Sequence, residues 1–537
     1  MSGLETLIVA TWGDPARWKL VEYHVEVPTN KEVEVKRAGY SRSTLAPLLK
    51  AFWDRGVKAL VLASETLAAL NPPSSWSSES VRQAASEYLN RYLGMREYSG
   101  MPRAVESEVL PGVGVFQVKG GAGVQLLKIV GSPHLYAAHA YVEVLKRLLE
   151  LRPKKLLLDV SHGINYMPLM AYRAVVEAAY TYTILEGSSL NLIVYNSDPV
   201  LEERQVSTLH IVEQRYIKLE DAVSRAYARV RRLDLRSLPN RAFKMPLTLG
   251  RDERGKHGRE VGERRREFRD GIMPLIEACR SLAVAASRGL ILYLAYKASG
   301  LGEKRCLKGG GPLMEIGRLV ENRVIQSTEG GSVTLTYPLA PGEELVESAV
   351  CAALAIRLVE EIGTPRVDEG FKLSLLEDLA RTYVVESAAK TIVSNELSDV
   401  KSRVAVYRTV SHLLRSAGVE PTLPLDRWIP YTLVYLLGEV EVEGSRLIEL
   451  WRDGRLERAV KGSESLIVEE LKSILEREGG LSLVLEGYRC NPDEIDRRNF
   501  YAHAGLERSA VKVYPQEDPL LAYYEECFCR VGEYAEE

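Results

Sequence analysis

The chain has 537 residues, of which 46% are apolar and 27% are charged, and its 70 basic and 73 acidic side chains leave a formal net charge of −3. A single hydrophobic core stops growing at about 250 to 300 residues, so this length excludes a one-domain protein, and the ordinary composition excludes a mainly disordered chain. The near-neutral balance excludes a global attraction to nucleic acid or to an anionic membrane, so any nucleic-acid site must be local.

Six cysteines stand without a Cys-x-x-Cys pair and without histidines at zinc spacing. We therefore expect reduced, mostly packed thiols and a cytoplasmic protein. The amino-terminal run MSGLETLIVATWGDP lacks the basic start and the longer apolar stretch of a signal peptide. No run reaches the roughly 18 apolar residues that a membrane helix needs. The sequence predicts a protein that stays where it is made, without a membrane partner.

Short β-branched runs alternate with helical patterns over residues 1–215, which is typical of an α/β domain with a largely parallel sheet. In chain order the predicted elements are a strand at 6–11, a hairpin around Pro28-Thr29-Asn30, a helix closed by Gly56, a strand at 58–63, a helical stretch within 71–100, a hairpin or glycine-punctuated loop at 111–123, a helix opened by Ser132-Pro133, a strand ending at Asp159, a helix to Leu185 and a strand at 190–196.

Helical patterns dominate after residue 216. The charged stretch at 251–270 is interpreted as a solvated loop or an exposed helix, and a hairpin turning at Gly330-Gly331 follows it. Pro341 then starts a long amphipathic helix that stops at Gly363. We expect a multidomain protein of the α/β plus all-α class, with an α/β domain over 1–215, a small connector over 216–345 and an all-α domain over 346–537.

Two loops of the α/β domain carry small and polar residues directly after predicted strands. In an open α/β sheet, ligands bind beyond the carboxyl ends of the strands, where loops and helix amino termini offer unpaired N–H groups. A plain turn is the alternative interpretation of each loop, and the presence of two such loops favours a common pocket. Neither strand is followed by a dinucleotide or Walker fingerprint. The candidate pocket residues are Trp12, Gly13, Ser161, His162, Gly163 and Asn165.

The carboxyl-terminal run DRRNFYAHAG, residues 496–505, places Arg498 and His503 in one short segment. A start at Asn491-Pro492 and a stop at Gly505 predict one helix over 492–504. At about 100° per residue, Asn499 and His503 share a face, whereas Arg498 lies about 140° from His503. This offset favours a site to which two chains contribute.

The chemistry of the pair fits RNA cleavage without a metal. A histidine can transfer a proton near neutral pH, and an arginine can stabilise the charge of a phosphorane. Attack of the 2′-hydroxyl on its own phosphate would leave a 2′,3′-cyclic phosphate and a 5′-hydroxyl. The alternative is an Arg-His pair on a solvated helix face, because R-x-x-x-x-H occurs by chance in long chains.

Three stretches resemble one family of proteins. RNFYAHAG resembles the R-x-x-x-x-H signature of HEPN ribonucleases. TWGDPARWKLVEY and DVSHGINYMP resemble the first and fourth strand junctions of CARF domains, the Rossmann-like sensors of cyclic oligoadenylate in type III CRISPR systems. The order, CARF first and HEPN last with a small connector between, resembles the ancillary CRISPR ribonucleases of that type.

The resemblance implies a CARF sensor domain over 1–215 and a HEPN ribonuclease domain over 346–537. It implies a homodimer, or a higher oligomer of dimers, whose paired CARF domains bind a cyclic oligoadenylate, with cyclic tetra-adenylate as the expected ring. Ligand binding would rearrange the HEPN dimer, which would then cleave single-stranded RNA in antiviral defence. The six loop residues would line the sensor pocket, with Ser161 in place of the threonine common in the family.

The resemblance also implies roles in the HEPN site, which would need no metal. His503 would be the acid/base or the group that orients the 2′-hydroxyl, Arg498 would stabilise the phosphorane, and Asn499 would position the phosphate. Arg497 stands beside Arg498, so either guanidinium fits the catalytic role, and we expect Arg498.

Two other functions are considered. A CARF-controlled transcription regulator would need a basic DNA-binding helix, and the connector's charge run is mixed with acids and glycines, which counts against it. A catalytically inactive CARF–HEPN interaction protein is opposed by the intact Arg498 and His503.

Overall fold

The computed structural model describes residues 5–29, 32–53, 56–95, 98, 104–120, 123–246, 251–302, 311–321, 324–363, 370–419, 423–477 and 488–536. The chain divides into two compact units, a first of Met1–Glu277 with Lys308–Arg357 and a second of Ala278–Leu307 with Leu358–Glu537. Residues 216–345, predicted as a connector, are therefore shared: 216–277 and 308–345 belong to the first unit, and 278–307 belong to the second.

Fourteen of the strands described lie in the first unit. They are β1 (Thr6–Thr11), β2 (Val21–Pro28), β3 (Val33–Ser41), β4 (Val57–Ser64), β5 (Val105–Leu110), β6 (Gly114–Gln117), β7 (Leu126–Val130), β8 (Lys155–Asp159), β9 (Leu190–Ser197), β10 (Val206–Ile217), β11 (Phe243–Lys244), β12 (Ile325–Glu329), β13 (Ser332–Thr336) and β14 (Ala340–Pro341).

The second unit adds six short strands among its described residues. They are β15 (Phe371–Lys372), β16 (Ile429–Pro430), β17 (Glu441–Val442), β18 (Ser445–Arg446), β19 (Val511–Tyr514) and β20 (Leu520–Tyr523).

The α-helices are α1 (Leu45–Phe52), α2 (Ser78–Leu93), α3 (Pro133–Leu151), α4 (Tyr166–Glu186), α5 (Leu219–Arg232), α6 (Leu238–Ala242), α7 (Arg251–Gly271), α8 (Met273–Ser287), α9 (Ile291–Gly302), α10 (Gly311–Val320), α11 (Glu343–Ile362), α12 (Leu373–Tyr383), α13 (Ser387–Ser416), α14 (Tyr431–Glu439), α15 (Leu447–Arg452), α16 (Leu456–Val460), α17 (Glu464–Arg477), α18 (Arg497–Ala502) and α19 (Glu525–Glu536).

An eight-stranded sheet with the order β3-β2-β10-β9-β8-β1-β4-β5 forms the centre of the first unit. All six residues of β1 are buried, which explains its unbroken apolar and β-branched sequence. β1 pairs in parallel with β4 and β8, β4 with β5, and β8 with β9, whereas β10 runs antiparallel to β9. The predicted α/β class and the predicted strands in β1, β4, β8 and β9 are confirmed.

The order of the central strands creates a topological switch at β1. After β1 the chain forms the β2–β3 hairpin at the far edge of the sheet. It then places β4 and β5 on one side of β1, and later β8 and β9 on the other side. Ligand sites of open α/β sheets lie at such a topological switch, beyond the carboxyl ends of the strands.

The helix after β7 begins as predicted, because the Ser132 side chain accepts a hydrogen bond from the His134 backbone N–H and Pro133 occupies the first turn.

The predicted hairpin of the connector is part of the first unit. β12 and β13 turn at Gly330 and Gly331, both with positive φ, and β13 pairs in parallel with β7. Directly after β13, the Tyr337 hydroxyl donates to the carboxylate of Glu65, which is completely buried. Arg82 Nε also donates to that carboxylate at 2.8 Å. Sheet pairing and a buried polar cluster therefore attach the hairpin to the α/β domain.

Helices dominate the second unit, as the sequence predicts, and the longest of them is α13 with 30 residues. A four-stranded sheet with the order β15-β20-β19-β16 and a two-stranded ribbon of β17 and β18 are also present, although an all-α domain was predicted. These strands contain two to four residues each. So short a run cannot display the alternation from which a strand is predicted.

The expectation of reduced thiols is wrong for one pair of cysteines. Cys490 and Cys527 form a disulfide with their Cα atoms 5.9 Å apart, and 37 residues separate them in the sequence. Tertiary folding brings them together, and the spacing of cysteines alone does not reveal such a pair. Cys306 lies outside the described residues. Among the described cysteines, Cys279, Cys351 and Cys529 take part in no disulfide.

Two features of the helices bear on the predictions from composition. The charged stretch after residue 250 is a helix, α7, rather than a loop. In the part of the chain that the structure describes, no helix combines the length and the apolarity needed to cross a membrane.

Candidate functional site

The loops after β1 and β8 lie against each other at the switch of the sheet. The two strands are in register from Thr6 beside Lys155 to Ala10 beside Asp159. Thr11 Oγ1 donates a hydrogen bond to the His162 carbonyl, which links the ends of the strands. The sequence therefore brings both predicted loops to one place.

One of the two glycines at the contact between the loops, Gly163, has to be glycine. A Cβ added to Gly13 would lie 3.4 Å from the backbone carbon of Gly163, and Gly163 itself has a φ of +139°. A Cβ added to Gly163 would come within 3.1 Å of Pro168 and 3.3 Å of Thr11 Oγ1. Since L side chains rarely adopt this backbone conformation, glycine is needed at 163 for the close approach of the loops, whereas a Cβ at Gly13 would make an ordinary contact.

A ladder of aromatic rings fills the floor of the site. Trp12 is 1% exposed and meets the edge of Trp18, with 4.9 Å between the ring centres. Trp18 stacks on the His162 imidazole with 4.0 Å between centres and an angle of 17°. Trp12 is thus a core residue that supports Trp18. Trp18 was not among the predicted site residues, because a lone tryptophan after a short turn has no motif of its own.

Two buried nitrogens on this ladder have no partner among the described residues, namely the Trp12 indole Nε1 and His162 Nε2. Burial lowers the pKa of His162, and the nearby Asp159 carboxylate opposes this shift only in part. The imidazole is consequently neutral at pH 7. It can hydrogen-bond to a ligand without carrying charge.

Ser161 and Asn165 occupy different positions in the second loop. Ser161 Oγ accepts a hydrogen bond of 2.9 Å from the Ser197 backbone N–H, which fixes the loop to the end of β9. Asn165 is the N-cap residue of α4, is exposed, and makes no side-chain capping bond. The first turn of any α-helix carries N–H groups without intrahelical partners, so an anion is favoured beside Asn165.

In the second unit, the predicted helix over 492–504 is wrong in its extent. Asn491 caps a single 3-10 turn at Pro492–Glu494, and Ile495 then adopts an extended backbone. A new start follows at Asp496, whose side chain accepts from the Asn499 backbone N–H at 2.8 Å, and the helix α18 runs only over Arg497–Ala502. The sequence contains two N-caps, and a single start was predicted because the first one is followed by proline.

His503 is the C-cap residue of α18, where its backbone N–H donates to the Asn499 carbonyl at 3.0 Å. Its imidazole is 49% exposed, and Nδ1 lies 3.1 Å from Oε2 of Glu396, a residue of α13. Glu396 is 107 residues from His503 in the sequence, so sequence reasoning had no signal for this pair. The carboxylate holds one ring nitrogen and leaves Nε2 for another partner.

Asn499 and His503 line one cleft of about 300 Å³, as their predicted common face requires. The cleft contains groups of both signs, and most of them are paired. Arg403 contacts Asp399 at 2.6 Å and Glu439 at 2.9 Å, and it covers the ring of Tyr435. The full lining is Glu396, Asp399, Arg403, Tyr431, Tyr435, Asn499, His503, Leu506, Glu507 and Arg508.

The two adjacent arginines differ in their surroundings. The Arg497 guanidinium lies 5.7 Å from the ring centre of Tyr501, and the same ring also receives Arg288, whose Nη1 donates to the Tyr501 hydroxyl at 3.2 Å. Arg498 is exposed, does not line the cleft, and makes no hydrogen bond or ion pair with the residues that the structure describes. The guanidinium of Arg498 is therefore the more available of the two.

No group of three or more His, Cys, Asp and Glu side chains among the described residues is placed to hold a metal ion.

Comparison with known proteins assigns a family domain to each unit. Residues 7–199, within the first unit, match the family model described as CRISPR system endoribonuclease Csx1, CARF domain. Residues 386–526, within the second unit, match the model described as CRISPR system endoribonuclease Csx1, HEPN domain. An α/β domain of the CARF type followed by a helical domain of the HEPN type is the class that fold and sequence define. The chain belongs to the family of CRISPR-associated CARF–HEPN ancillary ribonucleases.

Two individual proteins illustrate how distant the relatives are. The CRISPR system endoribonuclease Csx1 of Methanocaldococcus jannaschii is 29% identical over 222 residues, which are 40% of this chain and 42% of that protein. The match thus spans less than half of the curated relative. The structure of Enterococcus italicus Csm6 bound to cyclic hexa-2′-fluoro-hexa-dAMP is 8% identical and covers 88% of this chain and 95% of its own, with a TM-score of 0.20. That likeness is too low to support any inference.

Proposed function

We propose that the protein is a metal-independent endoribonuclease that cyclic oligoadenylate activates and that cuts single-stranded RNA in type III CRISPR antiviral defence. The observation that carries the proposal is the cleft in which Asn499 and His503 meet, with Glu396 holding one nitrogen of the imidazole. Membership of the CARF–HEPN family supports both the sensor and the nuclease parts.

Each side chain of the site has a role in cleavage by the RNA's own 2′-hydroxyl. Glu396 accepts from Nδ1–H, so Nε2 of His503 can take the proton of the 2′-hydroxyl as its oxygen attacks the phosphorus. Arg498 stabilises the charge of the phosphorane, and Asn499 positions the phosphate. The 5′-oxygen leaves with a proton. The products are a 2′,3′-cyclic phosphate and a 5′-hydroxyl end.

A homodimer completes the site. The leaving 5′-oxygen needs a proton donor on the side of the phosphorus opposite to the 2′-oxygen, and one imidazole cannot face both sides at once. We propose that His503 and Arg498 of two chains face each other, so that one chain serves the attacking oxygen and the other chain the leaving oxygen.

The switch-point loops of the first unit are the proposed site for cyclic oligoadenylate, with cyclic tetra-adenylate as the expected ring. A ring of adenosine phosphates offers charge and flat bases together. Backbone N–H groups at the start of α4 suit the phosphates, and the neutral His162 with Ser161, Gly163 and Asn165 suits polar edges of the ligand. Trp12 and Gly13 would support the pocket from the interior of the domain, because both are buried.

The test is cleavage of end-labelled single-stranded RNA by the purified protein in EDTA, with and without cyclic tetra-adenylate. We expect cleavage only or mainly with the activator, and product ends that carry a cyclic phosphate. His503→Ala is expected to abolish cleavage. The adjacent arginines provide a matched pair, since Arg498→Ala is expected to abolish cleavage and Arg497→Ala to preserve most of it.

Three results would contradict separate parts of the proposal. Equal cleavage by His503→Ala would remove the active-site assignment. Loss of activity in Arg497→Ala but not in Arg498→Ala would exchange the roles of the two arginines. Activation by cyclic hexa-adenylate alone would preserve the mechanism and replace the ligand.

A further inference from the structure

The β2–β3 hairpin carries the outermost strand of the eight-stranded sheet, and this edge is open. β3 stands first in the strand order and pairs only with β2 among the described strands. All residues from 32 to 37 are exposed on both faces, including Val33 at 51% and Val35 at 59%. An edge strand with free backbone groups is a template for another strand.

The ladder with β2 shows which residues of β3 present their backbone groups outward. Thr29 N–H donates to the Glu32 carbonyl at 2.9 Å, so this pair closes the hairpin as a hydrogen-bonded pair. Antiparallel pairs alternate, so Glu34 and Lys36, opposite Val27 and Val25, bond inward. The N–H and C=O groups of Val33, Val35 and Arg37 therefore point to the free edge.

The exposed part of this strand carries charges of both signs, with Glu34 on one side of Val35 and Lys36 and Arg37 on the other. Charged side chains on an edge, lysine above all, usually hinder pairing with an unrelated strand, whereas charges of both signs can match those of a second copy. Here Glu34 is followed by Lys36, and neither side chain has a hydrogen bond or ion pair within the described chain. An antiparallel copy of this strand would present the opposite order of charges.

We propose that β3 pairs with β3 of a second copy of this chain, antiparallel and with the two-fold axis at Val35. Val35 then faces its twin in a hydrogen-bonded pair, and Val33 faces Arg37. Glu34 faces Lys36 of the partner twice, at non-hydrogen-bonded positions where side chains are closest. The two sheets continue as one across the axis.

Charge selects this register over its neighbours. A shift by two residues in one direction would place Glu34 opposite Glu34, and a shift in the other direction would place Lys36 opposite Lys36. Like charges directly opposite each other destabilise a strand pair. A shift by one residue would oppose backbone groups that are already bonded to β2.

Charge reversal in the full-length protein tests the proposal, with molar mass measured by light scattering in units of the 59.9 kDa chain. Lys36→Glu and Glu34→Lys are each expected to lower the mass at least twofold, since each creates like-charge pairs across the axis. The double variant Glu34→Lys/Lys36→Glu restores complementarity and is expected to recover the wild-type mass. All three variants change only exposed side chains, so the fold of the single chain should be preserved.

A cysteine at position 35 tests the register of the two strands, because the two copies of this residue face each other when the two-fold axis lies there. Val35→Cys, in a Cys529→Ser background, is expected to form a disulfide-linked dimer under mild oxidation. Val212→Cys is the matched control, because Val212 is 57% exposed on β10 but lies inside the sheet rather than at its edge. Wild-type mass in both single variants, no recovery in the double variant, or equal cross-linking at 35 and 212 would each overturn the proposal.

Discussion

Arg82→Ala tests the buried carboxylate of Glu65. Glu65 is 0% exposed and accepts hydrogen bonds from Arg82 at 2.8 Å and from the Gly112 backbone N–H at 3.4 Å, in addition to the Tyr337 hydroxyl. Burial raises the pKa of Glu65, whereas the charge of Arg82 and the hydrogen bonds lower it. Removing Arg82 leaves a carboxylate in the core with neutral donors alone.

The loss of stability expected for Arg82→Ala depends on how far the Glu65–Arg82 ion pair is exposed to water. Breaking a buried ion pair by removing one partner costs about 3–5 kcal/mol. The Arg82 side chain is 45% exposed, so water screens part of the interaction, and we expect a loss of about 2–3 kcal/mol at pH 8.

The loss should depend on pH in a defined direction. A folded-state pKa above the unfolded one means that the folded protein binds more protons in the interval between them, so stability falls as pH rises through it. Without Arg82 the pKa of Glu65 rises further and the interval widens. The stability deficit of Arg82→Ala should therefore be larger at pH 8 than at pH 5.

Calorimetry of four proteins at both pH values isolates the interaction: wild type, Arg82→Ala, Glu65→Gln and the double variant. In the Glu65→Gln background, position 65 has no charge that could be left unpaired, so Arg82→Ala should lower the stability much less. An equal deficit in the two backgrounds, or one that does not change between pH 5 and pH 8, would refute the role assigned to the buried charge.

Three further predictions address the two candidate sites and the disulfide. Glu396→Gln should slow activated RNA cleavage at least about tenfold in single-turnover assays, because a carboxylate both orients the imidazole and stabilises its cation; an unchanged rate would remove Glu396 from the site. Gly163→Ala should destabilise the first unit by about 1–3 kcal/mol in thermal unfolding, because its φ of +139° strains any side chain; wild-type stability would contradict the close contact of the loops. Cys527→Ser should lower the free energy of unfolding by about 4 kcal/mol, because the disulfide to Cys490 closes a loop of 37 residues and restricts the unfolded chain. Wild-type protein in reducing buffer should unfold at the same temperature as the variant. Equal unfolding temperatures of oxidised and reduced wild type would argue against the disulfide.

Four inner strands of the eight-stranded sheet could be predicted because each of them is largely buried on both faces. β1, β4, β8 and β9 are short runs of apolar residues between turn signals, and such runs have few other solutions in a soluble domain. The start of α3 at Ser132-Pro133 and the turn at Gly330-Gly331 were predicted from signals within a few residues. Local signals of this kind do not depend on distant parts of the chain.

The candidate sites were predicted only in part. The loops at 12–13 and 161–165 and the pair of Asn499 and His503 were identified, because small and polar residues after strands and a histidine beside an arginine are visible in one segment. Glu396 and Trp18 were missed. Each becomes a site residue only through a neighbour that is distant along the chain, His503 for the one and His162 for the other.

The sequence by itself determined the class of the two domains, the loops at the sheet switch and the R-x-x-x-x-H segment, since each depends on residues within a few turns or strands. Tertiary structure alone decided that the predicted helix breaks at Ile495 and that Cys490 bonds to Cys527. It also decided that the Arg497 guanidinium lies near the Tyr501 ring while Arg498 is exposed, and that the hairpin after residue 324 pairs with β7 in a four-stranded sheet of the first unit. The physical reason is that side-chain pairing over tens to hundreds of residues follows from how elements pack, and no periodicity or spacing in the chain encodes it.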